Sequence, residues 1–242
     1  MADVLEAEGL RVERGGKTLL RDVSVCAEAG DVLGVLGPSG AGKSTLFRAL
    51  MGELEPSAGV VRFAGEDVSA WPLWRRARAG MGYVPQGPSV LWDLTVRQNL
   101  ITFHEIALGA PADVTTLAER VDLGERLEVR AGELSAGERR RLEVARALVR
   151  TPKLLVCDEP FAGVDPAGAQ RLGDILRALA DDGVAVLLAD HHVAEALRVC
   201  TRALLLLDGA IAVEADPEAF REHELVRGRY LGTWTRSIPP PP

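Results

Sequence analysis

The sequence predicts an α/β fold built on a largely parallel sheet, with an antiparallel portion at the N-terminus and an inserted helical portion. Two observations carry this. Short continuous apolar runs at residues 153–157, 184–189 and 203–207 alternate with segments of helical spacing, as strands buried on both faces do when helices cover a sheet. A further run at 32–36 enters a glycine-rich turn and then a helix, the opening of a βα phosphate-binding unit.

Taken in order, residues 4–30 read as two strands around Gly15-Gly16, a hairpin signal, with Val23 and Val25 alternating with polar neighbours. The strand at 32–36 leads to a helix over about 43–51. Strand character returns at 60–63, and the Trp- and Arg-rich stretch 66–80 is partly helical. From 87 to about 132 the pattern is helical with breaks such as Gly109-Ala110-Pro111. A helix at 137–150 places Leu142, Ala145, Leu148 and Val149 on one face, which leaves Arg139, Arg140, Arg141 and Arg146 to a solvated face. After the strand at 153–157, Leu172, Ile175, Leu176 and Leu179 keep helical spacing up to Gly183. The strand at 184–189 is followed by a helix marked by Val193, Ala196, Leu197 and Cys200. The strand at 203–207 turns at Asp208-Gly209, and a last helical stretch runs to about 231. The expected organisation is one domain over 1–232, with a helical insert at about 87–150, and a mobile proline-rich tail over 233–242.

The 242 residues are 47% apolar and 26% charged, which excludes a disordered or fibrous chain. Lys plus Arg number 28 and Asp plus Glu 35, a net charge of −7, so nucleic acid is not an expected partner. Cys26, Cys157 and Cys200 fit no zinc pattern and no disulfide ladder, so a reducing cytosol is expected. No apolar stretch approaches the roughly 20 residues of a spanning helix, and the acidic start MADVLEAEGL is not a signal peptide.

Gly37, Pro38, Ser39, Gly40, Ala41, Gly42, Lys43, Ser44 and Thr45 match G-x-x-x-x-G-K-[ST] between a strand and a helix. Glycines let backbone N–H groups wrap a phosphate chain, and the helix N-terminus adds positive potential. Lys43 reaches β- and γ-phosphates, and the Ser44 hydroxyl can ligate Mg²⁺. The run Leu154-Leu155-Val156-Cys157-Asp158-Glu159 delivers two carboxylates to the ligand edge of a parallel sheet. Asp158 suits the metal, and Glu159 suits a general base for the attacking water. Leu134-Ser135-Ala136-Gly137-Glu138 opens the next helix with small residues, a second anion-binding surface.

As a set, the phosphate loop, Gln86, Leu134 to Glu138, Asp158-Glu159-Pro160, Asp165 and His191 resemble the ATPase subunits of ATP-binding cassette (ABC) transporters, in order and spacing over about residues 4–232. The resemblance implies a P-loop NTPase core that binds ATP and Mg²⁺. It also implies a homodimer formed on ATP binding, with Ser135 and Gly137 of one copy reaching the γ-phosphate held by the other. Gln86 would reach Mg²⁺ or the attacking water, Asp165 would line the dimer contact, and His191 would bind the γ-phosphate. Two positions depart from the usual pattern: Ala136 stands for Gly, and Arg14 stands where an aromatic residue stacks on adenine. Within the family, Trp71 to Tyr83, Gly137 to Arg146, Glu159 to Pro166, Asp190 to Val193 and Tyr230-Leu231-Gly232 are most similar to the ATPases of lipopolysaccharide export systems, although the insert is shorter. The alternatives are the ATPase of a branched-chain amino-acid-type importer and a soluble ABC ATPase without a transport role. A transporter subunit would sit on the cytosolic face of the inner membrane and meet integral permease subunits near Trp92 and Leu94.

Overall fold

The computed structural model describes residues 3–110 and 112–232; the proline-rich tail lies outside them. Two 12-residue strands, β1 (Asp3–Arg14) and β2 (Lys17–Glu28), form an antiparallel hairpin through Gly15 and Gly16. β3 (Val32–Leu36) follows, then α1 (Lys43–Leu50), β4 (Ala58–Phe63), β5 (Glu66–Asp67), α2 (Leu73–Ala79) and β6 (Met81–Val84). Next come α3 (Val96–Leu108), α4 (Thr115–Arg120) and α5 (Ala136–Leu148), then β7 (Leu154–Asp158), α6 (Pro166–Asp181), β8 (Ala185–Ala189) and α7 (Val193–Val199). β9 (Arg202–Leu207), β10 (Ala210–Ala215), α8 (Pro217–Glu222), α9 (Glu224–Val226) and a π-turn over Arg227–Leu231 complete the described chain.

The larger sheet has the order β10-β9-β3-β8-β7-β6, parallel throughout except for β10 at one edge. Its central strands read as unbroken apolar runs because both faces are covered. Val32 and Leu36 of β3, Leu155 and Cys157 of β7, and Val186 and Leu188 of β8 face a core shared with the helices from α3 to α7. Leu33 and Val35, Leu154 and Val156, and Leu187 and Ala189 point the other way, into a second core with α1 and the smaller β2-β1-β4-β5 sheet. Burial lowers the Arg76 guanidinium to about 10. Arg76 holds those parts together by donating to the carbonyls of Ala49 and Leu50 at the end of α1 and of Ser69 and Trp71 beyond it.

Two sequence expectations change here, and one strand lies where none was expected. The stretch after the Asp208-Gly209 turn is not immediately helical. Both turn residues have positive φ, 49° and 78°, the geometry of a tight hairpin, and the chain returns as the edge strand β10. Its alanines and glutamate carry a weak strand signal, and pairing with β9 overrides it. β6, which lies between the two segments read as helical, is the opposite edge strand, too short to show a period. Finally, the arginines of α5 are not a solvated face: Arg140 and Arg141 are 7% and 4% exposed, and Arg139 and Arg146 are half-buried.

Candidate functional site

β3 ends under the phosphate loop, and β9 cradles it. A Cβ on Gly37 would lie 2.2 Å from the Leu206 carbonyl oxygen, so only glycine lets the loop lie against that strand. Gly42, at φ 110°, would bring a Cβ to 2.9 Å from the Leu19 oxygen. The Gly209 amide of the β9–β10 turn donates to the Ala41 carbonyl at 3.0 Å, so the hairpin that the sequence concealed buttresses the loop. Lys43 folds over the loop and donates from Nζ to the carbonyls of Gly37 (2.7 Å) and Pro38 (3.0 Å). Burial draws its pKa down, against the carboxylates of Glu159, Asp158 and Asp190.

Nine of the residues selected from sequence line a single cleft of about 660 Å³: Ser39, Gly40, Gly42, Lys43, Ser44, Thr45, Gln86, Glu159 and His191, joined by Leu19. Gly37, Pro38 and Ala41 complete the loop. Asp158 ends β7 with its Oδ1 accepting from the Ser44 hydroxyl at 3.3 Å, and burial raises its pKa. Two hard oxygen donors at this separation suit one small divalent cation, whose neighbouring ligands in an octahedron lie about 3 Å apart.

Glu159 has φ +52°, a costly conformation for a residue with a Cβ. Two contacts impose it: its amide donates to the Ala189 carbonyl at 2.7 Å, and its own carbonyl accepts from Arg140 at 3.2 Å. The turn aims the side chain into the cleft, with Oε2 3.4 Å from Nδ1 of His191. The fully buried Asp190 fixes the neighbouring turn, its carboxylate accepting from the amides of Phe161 and His192, both at 2.8 Å.

Ser135, Gly137 and Asp165 do not reach that cleft. They line a separate depression of about 230 Å³ with Glu138, Arg141, Ala167, Gly168 and Arg171. Two helix N-termini meet there. Ser135 caps α5 in a reciprocal box: its hydroxyl accepts from the Glu138 amide (3.2 Å), and the Glu138 carboxylate accepts from the Ser135 amide (2.8 Å). Burial pushes the Glu138 carboxyl up, but the Ser135 bonds and Arg126 outweigh it and hold it below the ordinary range. Asp165 caps α6 by accepting from the Gly168 amide at 3.0 Å. A Cβ on Gly137 would lie 3.2 Å from Val164, so the two helix starts lie close together. Ala136 is half-buried on the same helix start. Arg14 is exposed at the end of β1, opposite Lys17, and lines neither depression.

Arg140 and Glu143 form a network that sequence reasoning missed. Arg140 donates to the carbonyls of Pro85 (2.9 Å), Gln86 (3.2 Å) and Glu159, and pairs with Glu143 at 2.8 Å. Glu143 also accepts from the amide and hydroxyl of Ser89. One buried guanidinium thus links the Gln86 loop, the Glu159 turn and α5. Its signal in the sequence, an arginine and a glutamate three apart in a helix, is too common to single out.

A separate apolar cleft of about 420 Å³ lies between α2, α3 and α5, lined by Met51, Leu73, Trp74, Tyr83, Phe103 and Ile106 among others. Trp74 and Ile106 are 59% and 74% exposed. Among the described residues no helix is long and apolar enough to cross a membrane.

Known proteins resemble the chain along nearly its whole length. A sequence profile described as ABC transporter matches residues 20–162. The lipopolysaccharide export system ATP-binding protein of Acidithiobacillus ferridurans is 36% identical over 236 residues, covering 96% of this chain and 98% of that protein. Its counterpart from Escherichia coli K12 is 37% identical over 233 residues, covering 94% and 97%. A crystal structure of the ADP conformation of an ATP-binding cassette of an ABC transporter superposes with a TM-score of 0.88 at 27% identity, covering 96% of this chain and 100% of that one.

Proposed function

The chain belongs to the ABC transporter family as one of its ATP-hydrolysing cassettes, and from that premise we propose that it powers export of lipopolysaccharide or a related envelope lipid. It acts from the cytosolic face of the inner membrane, through integral permease subunits. The likeness to lipopolysaccharide export ATP-binding proteins over nearly the full length of both chains supports the cargo class.

The observation that carries the mechanism is the division of the site-forming residues between two depressions. One holds the phosphate loop, Gln86, Glu159 and His191; the other holds Ser135, Gly137 and Asp165. Two copies related by a two-fold axis, head to tail, would set each second depression over the other copy's phosphate loop and complete two sites at once. ATP is then the ligand that joins them. Lys43 would exchange the Gly37 and Pro38 carbonyls for the β- and γ-phosphates. Ser44 and Asp158, with Gln86 beside them, would hold Mg²⁺, which neutralises charge on the phosphates when bound. Glu159 would take the proton of the attacking water. His191 would donate to the γ-phosphate, where charge develops during transfer. The α5 helix N-terminus, whose capping box engages the amides of Ser135 and Glu138, would present the remaining backbone N–H groups of Ala136 and Gly137 to the same phosphate from the partner's side.

Arg140 couples hydrolysis to the permease in this reading, because it binds both the Glu159 turn and the Gln86 loop. The apolar cleft with Trp74 and Ile106 at its rim is the surface for a permease helix. Leaving both side chains in water is unfavourable. Trp92 is 47% exposed, with Arg139 stacked 5.2 Å from its ring, and lies outside that cleft.

The test is depletion of the chain in its own cells, with pull-down from solubilised inner membranes. Integral membrane subunits should co-purify, and lipopolysaccharide should accumulate in the inner membrane on depletion. An unchanged lipopolysaccharide distribution would contradict the cargo.

A further inference from the structure

The turn after β8 carries more metal-ligating chemistry than hydrolysis requires. We propose that Asp190, His191 and His192 form a binding site for a transition-metal cation of the zinc class, and that its occupancy inhibits ATP hydrolysis by engaging the His191 ring that would otherwise serve the γ-phosphate. One ligand atom from each of the three residues lies within 4.8 Å of the other two. Nδ1 of His192 is 2.8 Å from Asp190 Oδ1, and Nδ1 of His191 is 3.7 Å from the same oxygen. The imidazole rings are 4.1 Å apart between centroids and tilted by 42°. Ligand atoms on a tetrahedral zinc, bound at 2.0–2.2 Å, are about 3.3 Å apart. The two observed separations bracket that value, so small side-chain rotations close the set around an ion.

The site is also supported and reachable. The Asp190 carboxylate is held by the amides of Phe161 and His192, the kind of outer contact that fixes a ligand's orientation. Asp190 is buried, while the side chains of His191 and His192 are 57% and 36% exposed, so an ion can reach the set from solvent. On that open side Glu159 Oε2 lies 3.4 Å from His191 Nδ1 and offers a carboxylate to a remaining coordination position. Two imidazoles with a carboxylate favour zinc, copper or nickel over magnesium. The all-oxygen pair of Ser44 and Asp158 has the opposite preference. His191 belongs to the hydrolytic site by the reading above, and Asp190 fixes the turn that carries it. His192 is the residue that turns this pair into a three-ligand set, and it has no part in the proposed hydrolysis.

The binding arm of the test stands apart from the ATPase reading, and the inhibition arm rests on it. Tag-free full-length protein, without nucleotide, is titrated with Zn²⁺ by calorimetry and with Co²⁺ by visible absorption. One ion per chain is expected. His192→Asn should weaken zinc binding by more than the roughly 10–100-fold that loss of an outer contact costs. Cys26→Ser, which removes the exposed thiol, should leave it unchanged. In the ATPase assay, with free zinc set by a chelator buffer, His192→Asn should keep the parent rate without zinc. Its half-inhibiting zinc concentration should rise more than about tenfold. His192→Gln serves as a second variant, with circular dichroism confirming that both are folded. Equal zinc affinity in parent and His192 variants, or loss of binding in Cys26→Ser instead, overturns the site. Binding without inhibition overturns the inhibitory role, and a parent inactive without zinc overturns the ATPase reading while leaving the binding arm intact.

Discussion

Glu159 combines a strained backbone, φ +52°, with a side chain aimed into the phosphate cleft, and strain of this kind persists where surrounding contacts impose it. Glu159→Gln keeps the shape and removes the proposed base. It should leave ATP binding intact and lower turnover by about 10²–10⁴-fold, measured as single-turnover hydrolysis beside nucleotide affinity. The adjacent histidines give a sharper test of register. His191 lines the cleft, whereas His192 starts α7 and its Nδ1 pairs with Asp190. His191→Ala should lose about 10²-fold or more in turnover, as removal of a donor to developing charge does, while His192→Ala keeps most of it. Steady-state ATPase rates of the two variants decide between this assignment and its reverse. Most of these residues were legible beforehand because each sits in a local motif at the end of a strand or the start of a helix. Asp190 stands in a segment that the resemblance already named, but its burial and its two amide partners are visible only in the folded chain.

Among the elements, α5 carries the clearest energetic consequence. Arg140 and Glu143 form a buried ion pair whose remaining hydrogen bonds go to loop carbonyls and to Ser89. Breaking such a pair leaves an uncompensated charge and costs about 3–5 kcal/mol. Arg140→Met should therefore lower stability by about that amount in denaturant unfolding. Arg140→Met with Glu143→Leu should recover part of the stability but not the ATPase rate, because the carbonyls of Gln86 and Glu159 stay unheld. Recovery of both would show the network to be structural only. Pattern reading located α5 but assigned its arginines to solvent, because a helical wheel cannot show that two loops close over the polar side. The long apolar runs of β3, β7 and β8 were legible for the converse reason, since burial on both faces leaves no polar residue to confuse them. β6 and β10 were not, because edge strands of four and six residues take their stability from the neighbour they pair with.

At the scale of the whole molecule, the phosphate loop and the Ser135–Gly137 segment occupy separate depressions of one chain, although the sequence reads both as anion-binding surfaces. The family resemblance implies that they meet only between two copies, and the fold shows the separation within one copy that makes a second copy necessary. Only the fold shows the apolar cleft between α2, α3 and α5, whose lining comes from segments that sit far apart in sequence. In the proposed mechanism ATP completes its own site by bringing two copies together. Light scattering on the Glu159→Gln protein measures it most directly, because slowed turnover keeps ATP bound. The protein should be a monomer without nucleotide and a dimer once ATP and Mg²⁺ are added; a protein that stays monomeric with ATP bound would overturn ATP-driven dimerisation.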